Sequence, residues 1–252
     1  MAFDLQSGNP ALGPKVFERN ISYSSEETMT ETGTLNKFSL LLIVMVATAS
    51  YTWKLASEGQ SVMWWIIGGL VTGLICVIAI SVKPVWSPYI APIYAAAQGL
   101  FLGAISAYYN AAFAAKAPGL ILQTVCLTFG TVIAMFALYR FRIIEATQKF
   151  KSIVMIATAG IALFYLLAMV LRLFHIPMPL LHESNWLGIG LSLFIVAIAA
   201  LNLVLDFDRI DQGIAMGAPK FMEWYGAFGL LVTIVWLYLE ILRLLSKFSS
   251  RK

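Results

Sequence analysis

Past residue 36 the chain alternates long apolar runs with short polar breaks. Seven apolar segments fall at approximately 38–56, 62–82, 89–109, 119–139, 152–174, 186–207 and 224–246. Each comes close to the roughly 20 residues that a helix rising 1.5 Å per residue needs to cross a bilayer. The pattern predicts an all-α polytopic membrane protein, a bundle of seven transmembrane helices. Helices satisfy every backbone N–H and C=O within one segment, which lipid demands. Residues 1–36 are polar, with Gly8, Pro10, Gly13 and Pro14 followed by the acidic Glu26, Glu27 and Glu31. They read as a mostly flexible tail ahead of a membrane domain over 37–252. Without an apolar core, Met1 to Asn36 does not read as a cleavable signal peptide.

Composition agrees with this pattern. Of 252 residues, 60% are hydrophobic and 12% charged, and the mean hydropathy is +0.82. A soluble domain carries about 25% charged residues and about half apolar ones, so a water-soluble fold could not hide this much apolar surface. The net charge of +4 gives no sign of a nucleic-acid partner, because the basic residues sit at the ends of apolar runs, where they orient helices. With a cytoplasmic N-terminus, that side carries Lys15, Arg19, Lys37, Lys83, Arg140, Arg142, Lys149, Lys151, Arg209 and Lys220. The far side carries Lys54, Lys116 and Arg172. The Arg140–Lys151 connection is then the clearest cytoplasmic loop. The C-terminal Arg243, Lys247, Arg251 and Lys252 fall on the far side. Either that tail is external or one late segment is re-entrant.

Trp53, Trp64, Trp65, Trp86, Tyr108, Tyr109, Trp186 and Trp224 lie near segment ends, as an interfacial aromatic belt would. Ala95, Ala96, Ala97, Gly99, Gly103 and Ala104 form a small-residue stretch suited to close helix approach in lipid. Cys76 and Cys126 lie within apolar segments and read as small core residues rather than a disulfide.

Carboxylates at membrane depth are costly and mark function. Asp206 follows the apolar Leu203-Val204-Leu205, and Glu240 lies inside Trp236-Leu237-Tyr238-Leu239-Glu240-Ile241-Leu242-Arg243. Asp208 and Asp211 read equally well as a solvated helix end, with Arg209 pairing locally. Arg243 is three residues beyond Glu240, a spacing that supports a local ion pair. Two facing carboxylates in low dielectric cannot both ionise easily and would share a proton. Deprotonated, they offer hard oxygen ligands for calcium. Gln98 and Tyr165 are polar groups within spans, suited to interhelical hydrogen bonds. His175, His182 and Glu183 share one loop, but two histidines without a firm third ligand read as ordinary loop residues. There is no G-x-S-x-G, H-E-x-x-H, P-loop or dinucleotide fingerprint, so no cofactor and no enzymatic activity are expected.

Four stretches resemble the Bax inhibitor-1 family, also called transmembrane Bax inhibitor motif proteins, in its bacterial YccA-like branch. They are Asn9-Pro10-Ala11-Leu12 with Lys15-Val16-Phe17-Glu18; Gln98 through Ser106; Leu205-Asp206-Phe207-Asp208-Arg209-Ile210; and Ala227-Phe228-Gly229-Leu230-Leu231-Val232-Thr233 through Leu245. The resemblance implies seven helices with the last one central, in a bacterial inner membrane. It also implies a pH-sensitive calcium leak gated by two facing carboxylates, which fall by position on Asp206 and Glu240. The second is commonly Asp in that family. Similar sequences often carry Glu at the position of Gln98, so the amide weakens the case for an additional cation ligand there. Some relatives are described instead as regulators of a membrane protease or a survival pathway, without transport. Membrane lipids, calcium ions and such a protease are the partners implied.

The spacing strains this pairing. Asp206 is about 30 Å along an ideal helix from Trp186, and Glu240 about 24 Å from Trp224 on the antiparallel span. The two would sit near opposite faces unless the seventh span starts later, or Phe221 to Val232 is re-entrant or interfacial.

Overall fold

A computed structural model describes residues 28–174 and 185–251. Among them are seven helices long and apolar enough to cross a membrane. They are α1 (Glu31–Ser57), α2 (Met63–Val82), α3 (Ser87–Phe113), α4 (Leu120–Arg140), α5 (Gln148–Leu173), α6 (Trp186–Ala215) and α7 (Met222–Ser250). A short 3₁₀ turn, Pro84–Trp86, leads into α3. The described residues contain no strand beyond an isolated bridge between Thr28 and Pro219.

Helix α1 starts at Glu31, so residues 31–36, expected in the tail, form its first turns. The reason is a cap: Thr30 is extended, and its Oγ1 accepts from Gly33 N at 3.0 Å. Helix α7 is continuous for 29 residues, about 43 Å at the α-helical rise, and α6 runs for 30 residues, about 45 Å. Residues 222–232 therefore do not form the re-entrant hairpin considered from the charge pattern. Both helices outrun a hydrocarbon core of about 30 Å, so Trp186 and Trp224 do not by themselves mark bilayer edges.

Contacts divide the chain into two compact units. One holds residues 28–112 with 206–235. Here α3 packs closely against both α1 and α2. A Cβ on Gly69 would lie 2.6 Å from Ala97 O and 2.7 Å from Phe101 Cβ, and one on Gly99 would lie 2.9 Å from the Met45 carbonyl carbon. Thr52 Oγ1 donates to Leu100 O at 3.1 Å across the α1–α3 contact. The small-residue stretch of the third span thus allows close approach. Tyr94 packs edge-on against Phe228, ring centroids 4.9 Å apart, and Tyr225, Phe228 and Leu231 are fully buried. At the start of α7, Glu223 is fully buried. It accepts from Thr30 N and Oγ1 at 2.9 and 2.8 Å, pairs with Lys37, and lies 3.7 Å from Lys220 Nζ.

The other unit holds residues 113–205 with 236–251. Its apolar contacts join α5 and α6 through Val154, Met155 and Leu205, and through Ile161, Ile195 and Ile198 with Trp236 of α7. Asn202 Nδ2 donates to Thr158 Oγ1 at 2.8 Å between α5 and α6.

Helix α7 is the most buried span, 67% over its apolar window, against 17–22% for α1, α2, α4 and α5. That agrees with an inward position for the last helix. Trp64, Trp86, Tyr108 and Trp186 are exposed, as a belt requires, whereas Trp224 is partly covered and lies beneath the Lys37 ammonium. Both cysteines are free, but only Cys76 is buried. Cys126 is exposed on α4, which corrects the core reading for that residue.

Candidate functional site

Asp206 is fully buried on α6. Its Oδ1 lies 3.4 Å from Arg209 Nη1, three residues on, and its Oδ2 accepts from Thr233 Oγ1 of α7. Arg209 is itself only 8% exposed, so this ion pair is dry. Arg209, read from the sequence only as pairing locally, is three residues beyond Asp206, which puts its guanidinium on the face that carries Asp206. Asp208 is half-buried and accepts from Gln212 Nε2, while Asp211 is exposed. Both lie within α6, which continues to Ala215, rather than at its end. Gln98 is buried on α3, its amide filling the space beside Gly73 of α2.

Glu240 belongs to the other unit and is 2% exposed. Arg243 Nη1 lies 2.9 and 3.0 Å from its two oxygens. Tyr165 of α5 donates to its Oε1 at 2.8 Å, and Trp236 Nε1 does so at 3.3 Å. Arg243 also donates to the Tyr165 hydroxyl, and its guanidinium lies 5.1 Å from the centre of that ring. A carboxylate in low dielectric needs its lone pairs satisfied, and these three side chains do that. Tyr165 was legible as a polar group within a span, but its partner, 75 residues away, was not.

Thr233 and Glu240 both belong to α7, seven residues apart in sequence, but to different units. Each carboxylate thus has its own arginine and its own hydroxyl donor. Thr233 and Trp236 complete these surroundings and were not singled out in the sequence; Lys247, counted there only as a C-terminal positive charge, contacts neither carboxylate but holds Gly188 and Ser192 of α6. Lys247 carried one usable signal, its place seven residues beyond Glu240 on the same face. His175, His182 and Glu183 lie outside the described residues. Among the described residues no three His, Cys, Asp or Glu side chains converge on a point that would hold a metal.

The fold and these buried ion pairs define a multi-pass α-helical membrane protein with charged pairs inside its helix packing. The Bax inhibitor 1 like family model matches residues 9–250, nearly the whole chain, and the chain belongs to that family. No match is found among curated proteins or among solved structures.

Proposed function

We propose that this chain is a pH-sensitive leak for calcium and similar cations in a bacterial inner membrane, with Asp206 and Glu240 as the titrating groups of its gate. One observation carries the reading: two buried carboxylates on transmembrane helices, each held by an arginine three residues on. Ionisable groups at that depth are expensive, and apolar residues of similar volume would hold the helices together equally well. Their presence at that depth points to work other than stability.

In the ionised state Asp206 holds Arg209 and Thr233, while Glu240 holds Arg243, Tyr165 and Trp236. Protonation removes the negative partner; Arg243, its side chain 33% exposed, can rehydrate, whereas the Arg209 side chain, 9% exposed, is left without its counter-charge in low dielectric. That state costs more than the pair did. Admission of water or a shift of α6 or α7 relieves it, so leak rises as pH falls. While ionised, each carboxylate also carries hard oxygen donors of the kind calcium takes.

The test is calcium flux into liposomes holding the purified chain, at an acid and at a neutral pH. Asp206→Asn and Glu240→Gln imitate protonation; each is expected to raise leak at neutral pH and flatten the pH response. A double mutant that adds little beyond either single one marks the two as members of one gate. Fully additive effects separate them. Absence of flux from the wild type at both pH values overturns the reading in favour of a regulatory membrane protein without transport.

A further inference from the structure

Lys247, near the C-terminal end of α7, is 4% exposed. Its ammonium donates to Gly188 O and to Ser192 Oγ, both at 2.9 Å and both on the first turns of α6. These acceptors are neutral. Among the described residues, Arg243 and Glu240 are the ionisable groups nearest to it along its own face of α7, and Glu240 is already held by Arg243 and Tyr165. Among the described residues, Glu240, Arg243 and Lys247 thus set one negative charge against two positive ones. A tether between α6 and α7 requires a hydrogen-bond donor, which a glutamine supplies without the cost of a buried ion. The charge itself is the feature that tethering leaves unexplained.

Glu240, Arg243 and Lys247 follow at spacings of three and four, so they share one face of α7. Lys247 lies about 10 Å beyond Glu240 toward the helix C-terminus. A cation held at Glu240 would therefore stand within about one Debye length of the ammonium. We propose that Lys247 is a fixed positive charge that limits cation entry to the Glu240 site, divalent ions more than monovalent ones. The inference rests on the leak reading above. Electrostatic work is proportional to the charge of the moving ion, so the factor that a fixed charge imposes on a monovalent cation is squared for a divalent one.

The experiment compares potassium and calcium fluxes through wild type, Lys247→Met and Lys247→Arg in liposomes, at the acid pH where the leak is active. Lys247→Met is expected to raise potassium flux about threefold and calcium flux about tenfold, the square of the first factor. Lys247→Arg, which keeps the charge, is expected to match wild type for both ions. A merely loosened α6–α7 contact raises both fluxes by one common factor. That outcome overturns the proposal, and so does unchanged flux. Should Lys247→Met not purify as a single folded species, Lys247→Gln takes its place, since its amide still donates to Gly188 O and Ser192 Oγ. A wild type without leak overturns the channel reading itself. A pH-dependent wild-type leak that neutralising Lys247 leaves unaltered overturns the charge barrier alone.

Discussion

Gly68 and Gly69 are neighbours on α2, at the same depth and on the same helix, yet alanine should act on them in opposite directions. A Cβ on Gly68 meets nothing within 4 Å, whereas one on Gly69 falls 2.6 Å from Ala97 O and 2.7 Å from Phe101 Cβ. Ordinary contact begins near 3.4 Å. The α2–α3 contact would have to open by several tenths of an ångström, and neither neighbouring atom is the end of a flexible side chain that can swing away. Overpacking of this kind costs about 1–3 kcal/mol. Replacing a helical glycine in open space instead gains about 0.5–1 kcal/mol, because the unfolded backbone loses freedom. Gly69→Ala and Gly68→Ala should therefore differ by about 2 kcal/mol, the first below wild type and the second at or above it. At about 2–4 °C per kcal/mol for a chain of this size, the thermal midpoints separate by roughly 4–8 °C. The assay is the fraction of detergent-purified protein that stays monodisperse after heating through a temperature series. Equal midpoints for the two variants, or a Gly68→Ala variant the less stable of the two, would refute the close α2–α3 packing and with it the placement of α3.

Glu223→Gln should destabilise the chain by about 2 kcal/mol, below the usual 3–5 for a broken buried pair, because Lys37 and Lys220 are 20% and 43% exposed and can rehydrate. The same heating series reads it, and adding Lys37→Met should recover part of the loss; a midpoint equal to wild type in Glu223→Gln would show that the cluster contributes no stability. For orientation, Glu145→Cys in a chain whose Cys76 and Cys126 are alanine should resist an impermeant thiol reagent in intact cells and react once they are permeabilised. Glu145 is exposed and leaves intact the Thr147 cap, whose Oγ1 accepts from Phe150 N at 3.2 Å, and ready labelling from outside would invert the topology drawn from Arg140, Arg142, Lys149 and Lys151.

Hydropathy determined the seven spans, since lipid imposes a length and an apolar content that each segment meets by itself, with no help from its neighbours. The same local logic singled out Asp206 and Glu240, and the i, i+3 rule supplied Arg243 as the partner of Glu240; Arg209 was read only as pairing locally, and its partner Asp206 emerged with the structure. Helix ends were less legible. Thr30 starts α1 earlier than the apolar run does, and α6 and α7 continue past theirs because each turn adds a hydrogen bond wherever packing supports it. Glycine at 68 and 69 looks alike in one dimension; only the approach of α3 makes one of them irreplaceable. The partners across helices were beyond the sequence altogether: Tyr165 with Glu240 over 75 residues, Thr30 with Glu223 over 193, Lys247 with Ser192 over 55. Local chemistry decides which groups are costly to bury. Which distant donors or charges repay that cost depends on how the helices pack, and that only the tertiary structure decides.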